Sequence, residues 1–171
     1  GNPIALNYAI GDLVEGGIVF YIDETGEHGL VAALEDLGQF EWGCYGTDIN
    51  GNNSSVSPEL DGIGTGLQNT LEIVSGCSET PIAASEALAY ESEGYSDWYL
   101  PSRYELVEMY NTIGNGGPEG NIGGFETSDW PYYWSSSEGN YTGARLVYFS
   151  DGDSSTSAKG YPNRVRVIRA F

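Results

Sequence analysis

The sequence predicts an α+β domain in which short, twisted antiparallel sheets enclose two to three helices. Apolar runs of strand length, separated by turn residues, dominate both ends of the chain, whereas helix caps and apolar residues at three- and four-residue spacing lie in the middle. The 25 glycines in 171 residues favour tight turns over long helices. We therefore expect the N- and C-terminal strands to pair in one sheet, and the C-terminal half to be rich in loops.

The first strands form a predicted β-hairpin. Residues 17–22 (GIVFYI) and 29–34 (GLVAAL) are apolar runs joined by the polar turn DETGEH, in which Gly26 suits a turn position. Residues 43–66 are rich in Gly, Asn and Ser and predict a long loop. The length fits one domain, 1–171, with residues 1–10 interpreted as a leader or linker remnant.

Two helices are predicted before residue 95. The first covers residues 67–74 and ends at Gly76, which is expected to act as its C-terminal cap. The second begins at Thr80 as the N-cap, with Pro81 in the first turn, and runs to Gly94.

A third helix is predicted from Ser102 to Gly114. The sequence SRYE places Glu105 three residues after Ser102, which is the spacing of a capping box. The apolar residues that follow fall on one face of a helix: Leu106, Met109, Tyr110 and Ile113.

Three strands are predicted near the C-terminus. They are 132–137 (YYWSSS), 144–150 (ARLVYFS) and 164–171 (RVRVIRAF). In the last strand, polar and apolar residues alternate for four residues, and then the alternation slips by one.

The charge of the chain is strongly one-sided. It has 25 acidic and 6 basic residues, a net charge of −19, and no Lys or Arg precedes Arg103. Such a field repels phosphate backbones and anionic lipids, so we expect no binding to nucleic acid or to a membrane surface. No apolar run approaches the ~20 residues of a membrane helix, so we expect no membrane insertion.

Cys44 and Cys77 are the only cysteines, and both lie in segments predicted as loops. Without a CxxC spacing or a partner histidine, they make a poor metal site. A disulfide is the favoured interpretation and would indicate an oxidising compartment, whereas two unlinked thiols are the alternative.

The sequence does not predict an enzyme. His28, the one histidine, falls in the predicted hairpin turn, and the GxSxG nucleophile pattern is absent. The glycine-rich GIGTG (62–66) lacks the lysine of a phosphate-binding loop. No catalytic residue and no required cofactor are therefore assigned.

Calcium is one candidate ligand. Residues 48–59 place oxygen-bearing side chains at positions 1, 3, 5 and 12 of a calcium-loop spacing, namely Asp48, Asn50, Asn52 and Glu59. Position 6 holds Asn53 where calcium loops have glycine, so an Asn/Ser-rich surface turn is the alternative. Asp151 and Asp153 are a second, similar candidate.

Several phrases together resemble a known family. They include GGIVFYIDETGEHGLVAA (16–33), DWYLPS followed by an ELxxMY helix, YWSSSE (133–138), ARLVYFSDG and the terminal RVRVIRAF. Over residues 11–171 the chain resembles the DUF1566 family, also called the Legionella collagen-like protein C-terminal domain. The resemblance implies a C-type-lectin-like fold, related to the formylglycine-generating enzyme and to the variable proteins of diversity-generating retroelements. The catalytic cysteine pair of the enzyme branch has no counterpart after Cys77.

The resemblance also assigns structural roles. Trp98 and Trp134 are expected in or near the core. Asp97, Arg103 and Glu105 are expected to fix a turn and a helix start, and Arg145 and the terminal arginines to pair with buried acids.

The resulting functional hypothesis is a non-catalytic ligand-binding or adhesion module of an exported bacterial surface protein or a phage receptor-binding protein. The resemblance places it outside the cell, at the cell surface or on a virion, as part of a larger chain that recognises a protein or glycan on another surface. A diversity-generating-retroelement variable protein is one form of this role.

The predicted binding face is the loops between residues 132 and 163, where Tyr supplies contact area and Ser, Gly and Asn adapt their hydrogen bonding. The predicted ligand-binding residues are Tyr132, Ser136, Glu138, Asn140, Tyr141, Asp151, Asp153, Ser155, Tyr161 and Asn163. The alternative is a structural spacer domain of a large adhesin with no ligand of its own, in which these tyrosines would pack against neighbours.

Overall fold

The computed structural model describes residues 7–49 and 58–171, except for the side chains of residues 58 and 59. The helices in this part of the chain are α1 Pro58–Asp61, α2 Gly66–Gly76, α3 Ala83–Ala89 and α4 Arg103–Ile113. The strands are β1 Leu13–Val14, β2 Gly17–Ile22, β3 Gly29–Ala32, β4 Gly38–Phe40, β5 Tyr132–Glu138, β6 Gly143–Tyr148, β7 Ser154–Ala158, β8 Asn163–Val165 and β9 Ile168–Ala170. The predicted α+β class is confirmed.

A four-stranded sheet joins the two ends of the domain. Its strand order is β1-β2-β3-β9, and all neighbours are antiparallel. The hairpin of β2 and β3 turns at Gly26, whose φ of +74° favours glycine. Strand β9 adds to its open side, with Val31 opposite Arg169. The predicted pairing of the terminal strands is therefore confirmed.

A five-stranded sheet forms the second layer. Its order is β4-β8-β5-β6-β7, antiparallel except where β5 lies parallel to β8 at Tyr133 and Arg164. Residues 154–158 were predicted as loop and instead form the edge strand β7. The sequence SSTSA has no apolar alternation because this edge strand contributes little to the core.

The slip in the C-terminal alternation marks a change of sheet. Residues 164–171 were predicted as one strand, but β8 belongs to the five-stranded sheet and β9 to the four-stranded sheet. Arg166 and Val167 lie in the step between them, and both are buried. One segment therefore fastens the two sheets together.

Helix α4 confirms its prediction. Ser102 is the N-cap, and its backbone N–H donates to Glu105 Oε1 at 2.8 Å. The second oxygen, Glu105 Oε2, accepts from the backbone N–H of Gly64 at 3.0 Å. Glu105 is fully buried, and this burial raises the pKa of its carboxyl group.

Helices α2 and α3 differ from their predictions. In α2, Gly76 is the last helical residue and the extended Cys77 is the cap. In α3, the N-cap is Ile82 and not Thr80; the hydroxyl of Ser85 accepts from the Ile82 backbone N–H at 3.0 Å. The helix ends at Ala89 because Tyr90 turns to an extended conformation, and thus stops short of Gly94.

The interior is held by tryptophans whose indole nitrogens are all satisfied. Trp98 and Trp134 are buried, as expected, together with Trp42. Their indole N–H groups donate to backbone carbonyl groups of Tyr95, Phe40 and Ser135, respectively, at 2.8–3.1 Å.

The two buried arginines of the C-terminal segment pair with acids, as the resemblance implies. Arg166 Nε donates to Asp36 Oδ1 at 2.8 Å, and Arg169 binds both carboxylate oxygens of Asp97. Asp97 thus has an ion-pair role beside its expected role in a turn. Arg145 hydrogen-bonds to the hydroxyl of Thr156, and no ion pair joins it to an acid within the described residues, so its pairing stays a prediction.

The Cys44–Cys77 disulfide is present, as predicted. It joins the loop after β4 to the end of α2, across a sequence separation of 33 residues. The cross-link therefore holds the loop after β4 against the end of α2.

Replacing both cysteines by serine is expected to lower the free energy of unfolding by about 3–4 kcal/mol, because the unfolded chain regains the freedom of the closed loop. Urea unfolding of the Cys44→Ser/Cys77→Ser variant and the parent checks this value. Dithiothreitol should shift the midpoint of the parent and leave that of the variant unchanged. Equal midpoints without reductant would contradict the prediction.

Arg166→Met is expected to destabilise the domain by about 3–5 kcal/mol, because the Asp36 carboxylate and several carbonyl groups lose their buried donor. The matched control is Arg145→Met, for which a change within about 0.5 kcal/mol is expected. Chemical unfolding of both variants makes the comparison, and similar losses at the two positions would refute it.

Candidate functional site

The predicted loops lie at opposite ends of the same strand. Residues 139–142 connect β5 to β6, whereas residues 149–153 connect β6 to β7. Since β6 has 6 residues, the two turns are separated by roughly 20 Å. Asn140 and Tyr141 therefore do not share a face with Asp151 and Asp153.

Three of the predicted ligand-binding residues are buried, which corrects their assignment to an exposed surface. Ser136 is fully buried, and its hydroxyl accepts from Asn69 at 3.3 Å. Glu138 binds Lys159 Nζ at 2.6 Å in an ion pair without solvent exposure. Asn163 is 1% exposed, and its side-chain oxygen accepts from the indole N–H of Trp130. The sequence SSSE (135–138) did not reveal that Ser136 and Glu138 are buried, because it has no alternation of polar and apolar residues.

Two further predicted residues stabilise their own turns. Asn140 Oδ1 accepts from the backbone N–H groups of Thr142 and Gly143 at 2.9 and 2.8 Å. Asp151 Oδ1 accepts from the backbone N–H of Asp153 at 3.0 Å. Both aspartates are exposed, Tyr141 is 57% exposed, and Ser155 is half-buried on β7.

The candidate calcium loop falls mostly outside the described residues. This holds for Asn50, Asn52 and the side chain of Glu59, while Asp48 lies beside Glu138. Desolvation, with a smaller contribution from the hydrogen bond to Asp48, raises the pKa of Glu138. Within residues 7–49 and 58–171, the one grouping of metal-ligand type is Cys44, Cys77 and Glu79, and its sulfurs are bonded to each other.

The structure instead brings aromatic residues together on the five-stranded sheet, on the face opposite α4. The residues Leu106, Met109, Tyr133 and Val147 fill the α4 side. On the other face lies a cavity of about 230 Å³, here called the aromatic pocket. Its lining consists of Trp130, Tyr132, Leu146, Tyr148, Thr156, Ser157, Tyr161 and Asn163.

Strand pairing explains how these residues meet. Tyr132 of β5 lies opposite Tyr148 of β6, and Leu146 points to the same face because side chains alternate along a strand. The loop 159–162 then crosses this face, since β7 ends opposite Gly143 and β8 begins beside Tyr133. That crossing brings Tyr161 to the pocket.

Three of the aromatic rings form a connected row. The ring centroids of Trp130 and Tyr132 are 4.9 Å apart, as are those of Tyr132 and Tyr148, and both pairs are edge-to-face. Trp130 is 44% exposed and Tyr161 is 60% exposed. Contacts between the rings therefore order the wall, while its outer members stay open to solvent.

Asn163 lies at the buried side of the pocket with one half of its amide unused. Its Oδ1 accepts from the indole N–H of Trp130 at 2.9 Å. Because an indole nitrogen can only donate, this contact fixes the oxygen toward Trp130 and the amide nitrogen away from it. Asn163 Nδ2 is buried and has no hydrogen-bond partner among the described residues. Such a group is uncommon in native interiors and requires an explanation.

The turn before β5 holds Trp130 in place. Trp130 has a φ of +58°, a conformation rare for residues other than glycine. Arg164 donates to the carbonyl oxygens of Asp129 and Trp130, each at 2.9 Å. The Glu126 carboxylate accepts from the backbone N–H groups of Asp129 and Ser128, and these bonds lower its pKa to about 2.

The pocket was predicted only in part. Tyr132, Tyr161 and Asn163 were named from the sequence, whereas Trp130, Leu146, Tyr148, Thr156 and Ser157 were not. The alternation of ARLVYF, with Leu146 and Tyr148 on one face and Val147 and Phe149 on the other, contains the signal for part of the missing set. Trp130 has no such signal, since it lies outside a strand.

Comparison with known proteins identifies the family. The family model of the Lcl C-terminal domain matches residues 48–169. The chain belongs to this family. The match includes α1 to α4, strands β5 to β8, the first two residues of β9 and every residue of the aromatic pocket. It excludes the hairpin of β2 and β3, which was part of the sequence resemblance. No curated protein matches the chain.

One solved structure resembling this Lcl C-terminal domain is a fimbrial protein from Bacteroides ovatus ATCC 8483. It is 19% identical, with a TM-score of 0.47, and the alignment covers 83% of this chain. The chain spans 35% of the length of that protein. Within the described residues of the Lcl C-terminal domain, no helix is long and apolar enough to cross a membrane.

Glu126→Gln is expected to destabilise this Lcl C-terminal domain at neutral pH, because the amide accepts the turn hydrogen bonds more weakly than the carboxylate. The folded pKa of about 2 is below the ordinary 4.5, so the carboxylate stabilises the fold above pH 4.5 and loses this effect as the pH falls toward 2. Unfolding titrations from pH 7 to 2.5 should show that the difference in free energy of unfolding between the parent and the variant decreases as the pH falls. A gap that stays constant with pH would contradict this assignment.

Proposed function

We propose that this domain is a non-catalytic ligand-binding module of an exported bacterial surface protein or a phage receptor-binding protein. The ligand contacts are made at the aromatic pocket on the five-stranded sheet. This site replaces the binding face predicted from the sequence, which comprised all loops between residues 132 and 163. The family supports the general role, since the sequence resemblance associates it with exported and surface proteins. The disulfide supports an oxidising compartment.

The observation that carries the proposal is the ordered but open aromatic wall. Trp and Tyr provide large contact areas at a small loss of side-chain entropy, and they are enriched at the centres of binding sites. Here the contacts between Trp130, Tyr132 and Tyr148 and the bonds from Arg164 reduce that loss further, because the rings are already positioned.

The exposure of the tyrosines favours this role over a spacer domain. A spacer was expected to pack its tyrosines against neighbouring loops. Tyr132 is half-buried, but Tyr141 and Tyr161 are 57% and 60% exposed. Tyr161 and Trp130 both expose their rings at the same pocket, and clustered exposed aromatic groups mark interaction sites.

The positions also bear on retroelement diversification. Ser136 and Glu138 are held in the interior by Asn69 and Lys159, so varying them would damage the fold. Tyr141, Asp153 and Tyr161 are exposed, so substitutions there would cost the fold less. A variable protein of this family would therefore vary its surface positions while keeping the SSSE strand constant.

The absence of a catalytic role is supported by the location of His28, which is exposed in the hairpin turn. No residue lining the aromatic pocket is a titratable acid or base suited to proton transfer at neutral pH. The lining offers hydrogen bonds and contact area, which suit binding.

Binding to cell surfaces tests the proposal. The domain, labelled through a terminal tag, is incubated with immobilised mucin, epithelial cells and intact bacteria, and bound label is measured. Trp130→Ala/Tyr161→Ala is expected to reduce binding at least tenfold, because the two most exposed aromatic contact surfaces of the pocket are removed.

The matched control for this test is Tyr45→Ala, which removes an aromatic ring that is 63% exposed and outside the pocket lining. It should bind like the parent. Equal binding by the parent and the pocket variant, or no binding of the parent to any surface, would favour the spacer role.

A further inference from the structure

We propose that the aromatic pocket binds one neutral sugar residue of a glycan. This inference rests on the proposed function, because it names the ligand of the same site. Four features of the pocket carry it: its lack of charge, the unused amide of Asn163, the hydroxyl groups around it, and its size.

The first feature is the absence of charge in the lining. All eight lining residues are uncharged, although the chain has a net charge of −19. The surrounding field repels sulfated, sialylated and phosphorylated ligands, and the lining offers no cation to compensate them. A neutral ligand avoids this repulsion and needs no ionic partner.

The second feature is Asn163 Nδ2. Its orientation is fixed by the bond between Asn163 Oδ1 and the indole N–H of Trp130, so a donor and not an acceptor remains unused. A ligand oxygen that reached it would satisfy a buried group that has no other partner among the described residues. The ligand must therefore present an acceptor, which excludes a quaternary ammonium group as the best occupant of this aromatic site.

The third feature is the set of hydroxyl groups in the lining. Ser157 and three tyrosines each carry a hydroxyl group, which both donates and accepts, whereas the Thr156 hydroxyl is engaged by Arg145. A polyol matches such a lining, because each ligand hydroxyl also does both. A proline-rich peptide is the other common occupant of aromatic-lined grooves. It offers mainly carbonyl acceptors, so the hydroxyl groups of the lining would find few donors for their own oxygens.

The fourth feature is size and shape. The cavity of about 230 Å³ is smaller than the roughly 300–1,000 Å³ of pockets that hold drug-sized ligands, so one ring is accommodated. Trp130, Tyr161 and Leu146 supply apolar wall area. The C–H groups on one side of a pyranose ring pack against such aromatic surfaces, while its hydroxyl groups point to the polar residues.

The tryptophan distribution provides a direct measurement. Trp130 is 44% exposed, whereas Trp42, Trp98 and Trp134 are each at most 1% exposed. Acrylamide therefore quenches mainly the fluorescence of Trp130. Methyl glycosides of glucose, galactose, mannose and N-acetylglucosamine are titrated as probes, and at least one is expected to protect Trp130 with a Kd of about 1 mM.

Two variants test whether the sugar binds in the pocket. Asn163→Asp keeps an oxygen for the Trp130 N–H and replaces the unused donor, so affinity for the protecting glycoside should fall at least tenfold. The matched control, Asn140→Asp, makes the same substitution outside the pocket and should leave the affinity unchanged. Tyr161→Ala alters an exposed side chain, so its expected loss of affinity does not depend on the stability of the interior.

The outcomes separate this inference from the function on which it rests. Cell binding that depends on the pocket but is not competed by any neutral glycoside or neutral glycan on an array would overturn the sugar assignment and leave the binding role intact. Competition by a proline-rich peptide, or binding of sulfated or sialylated glycans alone, would also overturn it. Protection of Trp130 that survives both Asn163→Asp and Tyr161→Ala would place the sugar elsewhere.

Discussion

The domain depends on the buried guanidinium group of Arg166, at the step where the chain leaves one sheet and enters the other. Its nitrogens bind the Asp36 carboxylate and the carbonyl oxygens of Ala33, Gly123 and Gly124. Its Cζ atom lies 4.4 Å from the ring centroid of Phe125. Arginine suits this place because its planar fork satisfies several acceptors at once and keeps its charge when buried. The two sheets and the glycine-rich segment after α4 meet at this one side chain.

The aromatic pocket uses the strand immediately before this step. Asn163 and Arg164 belong to β8, so the fixed course of the chain at Arg166 also fixes the amide of Asn163 and the guanidinium group that holds the Trp130 turn. The aromatic wall is thus supported by strands and by hydrogen-bonded backbone. The two polar turns at the ends of β6 frame the sheet and do not form one surface, which is why the site differs from the one that composition suggested.

The sequence predicted what local rules determine. The capping box at Ser102, the hairpin around Gly26 and the pairing of the terminal strands follow from spacing and turn chemistry. The interior positions of Trp98 and Trp134 follow from the family resemblance. Long-range contacts could not be predicted from the sequence. The burial of Glu138 depends on Lys159 in the loop after β7, and the course of the same loop, 159–162, brings Tyr161 to the pocket that Asn163 lines. The start of α3 was wrong because Thr80 fits the cap pattern, whereas the Ser85 hydroxyl sets the N-cap at Ile82.

The distribution of basic residues has a consequence for proteolysis. Trypsin-like proteases cleave after Lys or Arg, and the chain has none before Arg103. Of the six basic residues, Lys159, Arg166 and Arg169 are buried, and Arg103, Arg145 and Arg164 lie in helix or strand with hydrogen-bonded side chains. The folded domain thus presents almost no cleavage site to this class of enzyme. A secreted module of this kind would persist where such proteases are abundant, and its turnover would fall to proteases that recognise acidic or aromatic residues.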